Sequence, residues 1–211
     1  QVFRIGDYGV KEYQLVWDAK YQPCHKVTKN FLAWPENLSI TENFAPGLYV
    51  FRIFDQKDYA AYATFIVRNQ NPAKVVASIP FLTLLAYNKV NGSNAYKSPT
   101  GFMGRAKEIS FASPIDYKSG LDKFAEYVFP VVREIEKLHL DVSYVADYEI
   151  NDDPTLLDNR TEFISMGHDE YWTDKERSAV LAAREHGLEH VQDRGVRSVA
   201  HAFRADVLEL G

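Results

Sequence analysis

Residues 163–173 read FISMGHDEYWT, and this short segment combines the patterns of a strand, a loop and the start of a helix. Phe163–Met166 is a short apolar run of the kind that forms a buried strand, and Gly167 allows the backbone to turn sharply behind it. Thr173 is a good N-cap for a helix, because the glutamate three residues later completes a capping box. A buried strand, a polar loop and a capped helix in this order are typical of a parallel α/β sheet.

Further units of this kind precede that stretch. Val75–Ile79 is a nearly continuous apolar run, which predicts a strand covered on both faces, and Val142–Ala146 is the next strand candidate. Between them, apolar residues recur at three- and four-residue steps over residues 124–138, which predicts an amphipathic helix that is kinked at Pro130 or begins near it. We therefore predict an α/β domain over residues 71–211, with a mostly parallel sheet and flanking helices.

Residues 1–70 have a different pattern. Short runs rich in aromatic and β-branched residues lie at Tyr13–Trp17, Leu38–Phe44, Leu48–Ile53 and Ala63–Arg68. This spacing predicts a small, partial antiparallel β-sandwich that precedes the α/β domain and serves as a structural or interaction module.

The two ends of the sequence suggest a piece of a longer chain. The first residue is Gln1, not methionine, and it does not begin a signal peptide. After Gly187, which we expect to end a helix, we find no strand pattern, and residues 196–210 have helical spacing. We expect the α/β domain to be incomplete at its carboxyl terminus.

The composition excludes several classes of function. The chain has 211 residues, a formal charge of -5 and a single cysteine. The negative charge gives no reason to expect nucleic acid as a partner, and one cysteine excludes a disulfide framework or a cysteine-rich zinc site. No apolar run approaches the roughly 18 residues that a membrane-spanning helix needs, so we expect no membrane partner. The expected location is the cytoplasm.

Candidate functional residues follow the predicted strands, because ligands of open α/β sheets bind beyond the carboxyl ends of the strands. His168 and Glu170 are two residues apart, so in extended geometry their side chains point to the same side. Such a pair can act as a general acid and base or join a metal site. Alternatively, Glu170 and Thr173 form a helix-capping cluster. Tyr87 and Asn88 lie where the first strand of the α/β domain is expected to end, although a tyrosine there is more often a packed aromatic residue.

Several common catalytic motifs are absent from the sequence. It has no nucleophile elbow, no glycine-rich nucleotide loop and no zinc-binding pair of histidines or cysteines. What remains is an oxygen-rich set of tyrosine, glutamate and aspartate with a single histidine. Asp147 and Glu149 add carboxylates after another predicted strand, so a hydrolase of carbohydrates is a further alternative.

Three motifs together resemble the catalytic large subunit of N,N-dimethylformamidase and its relatives. They are Ala86-Tyr87-Asn88, Ser110-Phe111-Ala112-Ser113-Pro114 and Gly167-His168-Asp169-Glu170-Tyr171-Trp172. The similarity covers roughly residues 44–187. It implies a catalytic domain of the glutamine-amidotransferase or flavodoxin-like kind, similar to the class I glutamine amidotransferases but without their cysteine nucleophile.

The resemblance also implies a mononuclear non-haem iron held by two tyrosines and one glutamate. Carried over to this sequence, Glu170 is the carboxylate ligand and Tyr87 is one phenolate ligand. The expected Ser-Phe-x-x-Pro-Tyr pattern has Ile115 in place of its tyrosine. We therefore take Tyr117 as the second tyrosine ligand, with Tyr96 as its rival.

The implied function is hydrolysis of a linear amide C–N bond, with an N-substituted formamide-like substrate. His168 and Asn88 are the expected catalytic residues. The expected partners are the small-molecule amide, further copies of the chain in a homo-oligomer, and a small accessory subunit. The alternative is a non-catalytic scaffold or binding module with the same fold.

Overall fold

The computed structural model describes residues 1–18, 43–54, 60–89, 92–111 and 121–193. This part of the chain forms two four-stranded sheets and five α-helices. The strands are β1 (Val2–Tyr8), β2 (Lys11–Trp17), β3 (Gly47–Phe54), β4 (Ala60–Val67), β5 (Val75–Ile79), β6 (Val142–Ala146), β7 (Glu162–Met166) and β8 (Glu189–Asp193). The helices are α1 (Phe81–Tyr87), α2 (Asp122–Tyr127), α3 (Phe129–Lys137), α4 (Asp147–Asp152) and α5 (Asp174–Glu185).

The first sheet is antiparallel, with the strand order β2-β1-β3-β4. The predicted strands within β2, β3 and β4 are confirmed, and β3 pairs with β4 from Gly47 opposite Val67 to Phe54 opposite Ala60. Sequence reasoning missed β1, because Arg4 interrupts its apolar residues. The Arg4 guanidinium is instead paired with Glu136 of α3 at 2.8 Å.

The described part of the antiparallel sheet is a single layer and not a sandwich. Its inner residues Ile5 and Leu48 share one hydrophobic core with Val131 and Ile135 of α3, so a helix covers the face that a second sheet would cover. Most of the predicted strand at residues 38–44 lies outside the described residues. The second layer therefore stays a prediction.

The second sheet is parallel, with the strand order β6-β5-β7-β8. β5 lies at its centre, where Ala77 is opposite both Tyr144 and Ile164. The central strands are almost wholly buried, as their apolar runs predicted. The mixed α/β prediction is thus confirmed, whereas the likeness to glutamine amidotransferases and flavodoxin stays a prediction.

The helix predicted over residues 124–138 forms as two helices. α2 ends at Tyr127, and α3 begins at Phe129 with Pro130 in its first turn. Proline is tolerated there because the amides of the first turn have no partner within the helix. The capping box at the start of α5 is confirmed, because Thr173 Oγ1 accepts from the Glu176 N–H at 3.0 Å.

Two sequence predictions about element positions are wrong. The strand that was expected to end near Tyr87 ends at Ile79, and residues 81–87 form α1. Residues 189–193, for which we predicted no strand, form β8, which pairs with β7. β8 reads EHVQD and lacks an apolar run, since within the described part of the chain it pairs on one side only.

The two faces of the parallel sheet have separate cores. One contains α2, α3 and the antiparallel sheet, and the other contains α5 with Val76, Phe163 and Val180. None of the described helices is long and apolar enough to span a membrane.

Candidate active site

The candidate site lies beyond the carboxyl ends of β5 and β7, which are neighbours in the parallel sheet. The chain leaves β5 for β6 on one side and later returns to β7 on the other side. Ligands of open α/β sheets bind at such a point, where successive connections run in opposite directions. Here α1 follows β5, and the loop of residues 167–173 follows β7.

Four side chains converge at this position, and three of their contacts meet at one atom, Glu170 Oε2. Tyr96 Oη donates to it at 2.5 Å and Tyr87 Oη at 3.3 Å. His168 Nε2 lies 3.1 Å from the same oxygen and 3.1 Å from Tyr87 Oη. The rings of Tyr87 and Tyr96 stack with their centroids 4.5 Å apart. Residues from three separate segments therefore form one polar cluster.

Gly167 allows the loop after β7 to reach this cluster. Its φ is +60°, a conformation that residues with a side chain rarely adopt. A Cβ at this position would lie 2.7 Å from the backbone oxygen of Tyr127, at the end of α2. The sequence therefore needs glycine between the buried strand and His168.

Two buried polar residues, which sequence reasoning missed, join the segments of the cluster. Thr83 Oγ1 accepts from the backbone N–H groups of Glu170 and Tyr171, at 2.9 and 3.0 Å. Asn94 Nδ2 donates to the Tyr87 carbonyl at 2.7 Å, and its Oδ1 accepts from the Tyr96 N–H at 2.9 Å. Asn94 lies in a loop of turn-forming residues, where asparagine side chains commonly hydrogen-bond to the backbone, so its role could have been predicted. Thr83 lies in an apolar run, and nothing in that pattern indicates a hydrogen bond to a distant loop.

A comparison with models of known protein families shows which family the chain belongs to. A family model described as N,N-dimethylformamidase beta subunit-like, C-terminal, matches residues 1–192. The chain belongs to this family. The match begins at residue 1, so it includes the antiparallel sheet as well as the α/β part, and it is longer than the resemblance over residues 44–187. No curated protein sequence matches the chain closely enough to be named as a relative.

In this member of the N,N-dimethylformamidase beta subunit-like family, the cluster combines one ionised carboxylate with two neutral phenols. The hydrogen bond from Tyr96 lowers the pKa of Glu170, with smaller contributions from Tyr87 and His168. Burial raises the pKa of Tyr96, and its bond to Glu170 raises it further. Burial also raises the pKa of Tyr87, with the Glu170 charge acting in the same direction.

A second group of three carboxyls consists of Asp169 in this loop and the fully buried Asp147 and Glu176. Burial raises the pKa of Asp147 to about 7, of Asp169 to about 6 and of Glu176 to about 8. Asp147 and Asp169 repel each other electrostatically, and both raise the pKa of Glu176. Asp147 Oδ2 accepts from the Leu82 N–H at 2.8 Å, so it caps the start of the helix that carries Tyr87. These carboxyls hold at least part of their protons near neutral pH.

The structure brings three of the predicted site residues together and leaves two untested. Tyr87, His168 and Glu170 meet as described above. Asn88 follows Tyr87 at the end of α1 and is 5% exposed, and its catalytic role stays a prediction. Tyr117 lies outside the described residues.

Two alternative roles were considered for the acidic residues, helix capping by Glu170 with Thr173 and catalysis by Glu149, and the structure describes the contacts of each. Thr173 forms its capping box with Glu176 and not with Glu170. Glu149 accepts from the Ala146 N–H at 2.9 Å and pairs with Arg68 at 2.6 Å, so it acts at the start of α4. These contacts account for Glu149 and Thr173 as structural residues.

The oxygen donors of this cluster are of the chemical kind that the iron implied by the resemblance needs, and an iron site stays a prediction. Within the described residues, no three His, Cys, Asp or Glu side chains are grouped so that they could hold a metal, but two of the four side chains in this cluster are tyrosines. Phenol and carboxylate oxygens are hard donors that suit a highly charged iron. The phenol oxygens of Tyr96 and Tyr87 lie 2.5 and 3.3 Å from Glu170 Oε2, so each phenol is close enough to this carboxylate to share one ion with it.

Proposed function

We propose that this chain hydrolyses the C–N bond of a linear amide, with an N-substituted formamide-like substrate. In this proposal Tyr87, Tyr96 and Glu170 hold one non-haem iron. The observation that carries the proposal is the convergence of both phenols on Glu170 Oε2, at 2.5 and 3.3 Å. The family name supports the choice of an amide, because it is that of N,N-dimethylformamidase.

An amide is hard to hydrolyse because its C–N bond has partial double-bond character. When bound, iron supplies Lewis acidity that makes the carbonyl carbon more susceptible to attack. The reaction adds the oxygen of water to that carbon and breaks the C–N bond, and the departing amine must gain a proton. A group that first accepts and then donates a proton is therefore needed beside the carbonyl.

His168 is the residue best placed for this proton transfer. Its Nε2 lies 3.1 Å from Glu170 Oε2, and 44% of its side chain is exposed, so water and substrate can reach it. Because Nε2 contacts Glu170 and Tyr87, the other ring nitrogen, Nδ1, takes a proton from the attacking water and later delivers it to the amine. Glu170 and Tyr87 hold the ring in place during both steps, since both contact the same nitrogen.

The surroundings of the cluster support a substrate with a small apolar substituent. The ring of Tyr127 lies 5.6 Å from that of His168, and the ring of Tyr171 lies 6.2 Å from that of Tyr96. Aromatic faces pack well against alkyl groups, and their contacts do not require a charged substrate. N-alkyl formamides meet both conditions.

The family name is that of a beta subunit, so a further subunit belongs to the proposal. The expected assembly is a homo-oligomer of this chain with a small accessory subunit. Light scattering of the purified protein gives its mass, and a mass equal to that of one 24.1 kDa chain would contradict the homo-oligomer.

The experiment that tests the proposed function is amine release from N-alkyl formamides by the iron-loaded chain. Glu170→Gln should abolish iron binding and with it the hydrolysis, because one ligand is lost. Glu185→Gln is the matched control, since Glu185 is exposed at the end of α5, and it should behave as the wild type. A folded, iron-loaded wild-type chain that releases no amine would favour the non-catalytic scaffold.

A further inference from the structure

Three segments carry the polar cluster, and the loop after β7 is more than 70 residues away in the sequence from the other two. Contacts between these segments must therefore fix their relative positions. Tyr87 lies on α1, Tyr96 lies in the following loop, and His168 and Glu170 lie in the loop after β7. Two side chains bridge these segments, Thr83 and Asn94, which are 1% and 5% exposed.

Thr83 joins the loop after β7 to α1. It lies four residues before Tyr87 on the same helix, so both side chains share one helix face. A hydroxyl oxygen has two acceptor sites, and here they take the N–H groups of Glu170 and Tyr171, at 2.9 and 3.0 Å. The main chain of Glu170 is thus fixed to the helix that carries Tyr87.

Asn94 joins the two tyrosines in the same way. Its amide donates to the Tyr87 carbonyl, and its oxygen accepts from the N–H groups of Tyr96 and Lys97, the latter at 2.7 Å. The backbone bond from Ala95 to Ala86, at 3.0 Å, runs beside this bridge. Two of the groups bonded to Asn94 are therefore main-chain groups of the tyrosines proposed as ligands, Tyr87 and Tyr96.

We propose that Thr83 and Asn94 are positioning residues of the site. They hold the backbones of Tyr87, Tyr96 and Glu170 at the separation that lets their side-chain oxygens meet before a ligand binds. The inference rests on the proposed function, because the ligand it prepares for is iron. Residues that orient metal ligands in this way affect metal affinity about 10- to 100-fold when they are mutated.

The test for Thr83 compares Thr83→Val with Thr83→Ser. Valine keeps the size of the side chain and removes the acceptor, whereas serine keeps the acceptor. Thr83→Val should weaken iron affinity about 10- to 100-fold and speed hydrogen exchange of the Glu170 and Tyr171 amides in the iron-free protein. Thr83→Ser should restore both properties to near wild-type values.

A matched control separates positioning from a general loss of stability. Ser143 is also buried and accepts a backbone N–H, that of Ala73 at 2.9 Å, but it lies near the amino end of the parallel sheet. Ser143→Ala should lower the free energy of unfolding without changing iron affinity. A folded Thr83→Val protein with wild-type iron affinity and wild-type Glu170 exchange would overturn the proposal for Thr83.

The test for Asn94 follows the same design. Asn94→Leu removes all three bonds and should weaken iron affinity about 10- to 100-fold, with loss of the contacts between the Tyr87 and Tyr96 rings in nuclear Overhauser spectra. Asn69→Leu is the control, because Asn69 donates to the Val142 carbonyl at 3.2 Å at the other end of the sheet. Unchanged ring contacts and iron affinity in Asn94→Leu would contradict the role of Asn94.

The iron-free measurements keep this inference separate from the proposed function. If the wild type binds no iron, the proposed function fails, but hydrogen exchange and ring contacts still decide whether Thr83 and Asn94 position the four side chains. If the wild type binds iron and both variants bind it equally well, the positioning role fails and the iron site stands.

Discussion

At the scale of single residues, the bond from Tyr96 to Glu170 has a consequence for ligand binding. The pKa values of both phenols are raised in the folded chain, so each phenol is protonated at neutral pH. Coordination requires phenolates, and metal binding therefore releases protons. Iron affinity should rise with pH for the same reason.

We predict a release of about two protons per iron at pH 7 in the wild type, one each from Tyr87 and Tyr96. Tyr96→Phe should release about one proton and bind iron at least tenfold more weakly. Tyr13→Phe is the control, because Tyr13 is half exposed on β2, and it should match the wild type. Calorimetry in buffers of different ionisation enthalpy measures the number, and an equal release in Tyr96→Phe would remove Tyr96 from the ligand set.

The buried carboxyl of Glu176 predicts how stability depends on pH. Its pKa is raised from 4.5 to about 8, mainly by burial and then by the charges of Asp147 and Asp169. The stability that the neutral form provides is fully present below pH 4.5 and is lost as the pH rises through 8.

We therefore expect the free energy of unfolding of the wild type to fall between pH 5 and pH 8, by at most about 1.4 kcal/mol per pH unit for this one proton. Glu176→Gln should make this fall less steep, since glutamine keeps a capping-box acceptor and cannot ionise, and the remaining slope comes from Asp147 and Asp169. Urea unfolding at several pH values measures the slope. Parallel profiles for the two proteins would show that Glu176 is ionised throughout.

Side-chain contacts could be predicted from the sequence where both residues lie in one short segment, and could not where the residues are far apart in the chain. His168 and Glu170 could be predicted because both follow one buried strand within a short loop. The contact between Tyr96 and Glu170 could not be predicted from spacing, because Tyr96 reaches Glu170 through the folding of its loop back onto the end of α1. Tyr117, the tyrosine preferred from the sequence, lies outside the described residues, so that choice stays a prediction. Thr83 could not be recognised, since its role depends on a partner 87 residues away in the chain.

At the scale of elements, the turn from β7 into its loop depends on glycine. Gly167 combines a positive φ with a Cβ position 2.7 Å from the Tyr127 backbone. Gly187, after α5, has a φ of +97° but no heavy atom within 4 Å of its Cβ position. Both glycines therefore have a positive φ, but only Gly167 lies against a neighbouring backbone.

We predict that Gly187→Ala lowers the free energy of unfolding by about 1–2 kcal/mol, the cost of a left-handed residue with a side chain. Gly167→Ala should cost more, because the Tyr127 backbone must also move, and it should weaken iron binding. Urea unfolding of both variants gives the comparison. An equal loss of unfolding free energy in the two variants would show that the Tyr127 backbone moves away from a Cβ at position 167 at no measurable cost.

Element predictions failed where tertiary pairing replaced a local pattern. The strand predicted at Val75–Ile79 forms as β5, but the expectation that it continues to near Tyr87 is wrong, because the chain turns at Pro80 and the following apolar residues form α1, in which residues 83–86 are buried. β8 has a polar sequence, and its pairing with β7 holds it in the sheet. The capping box of α5 was predictable, because its two residues lie three apart.

At the scale of the whole molecule, the antiparallel sheet and the helices of the parallel sheet share one core. Leu48 on β3 is fully buried in the same cluster as Ile135 on α3 and Ile164 on β7. Sequence patterns predicted two separate units at 1–70 and 71–211, because local periodicity carries no information on which faces meet. A shared core predicts that both sheets unfold together.

We expect Leu48→Ala to lower the free energy of unfolding by about 2–5 kcal/mol, as truncation of a buried leucine does. Native-state hydrogen exchange should show the same loss of protection for amides of β3 and β7. Exposed Leu181→Ala, on α5, is the control and should have little effect. A loss of protection confined to the antiparallel sheet would instead establish the predicted two units.

The visible absorption spectrum of the iron-loaded chain, measured together with its iron content, distinguishes an iron site from a cluster of hydrogen-bonded side chains. We predict one iron per chain and a phenolate-to-iron charge-transfer band, which is lost in Glu170→Gln and shifted or weakened in Tyr87→Phe and Tyr96→Phe. A folded wild-type protein that takes up no iron, or that binds iron without this band, would contradict the account.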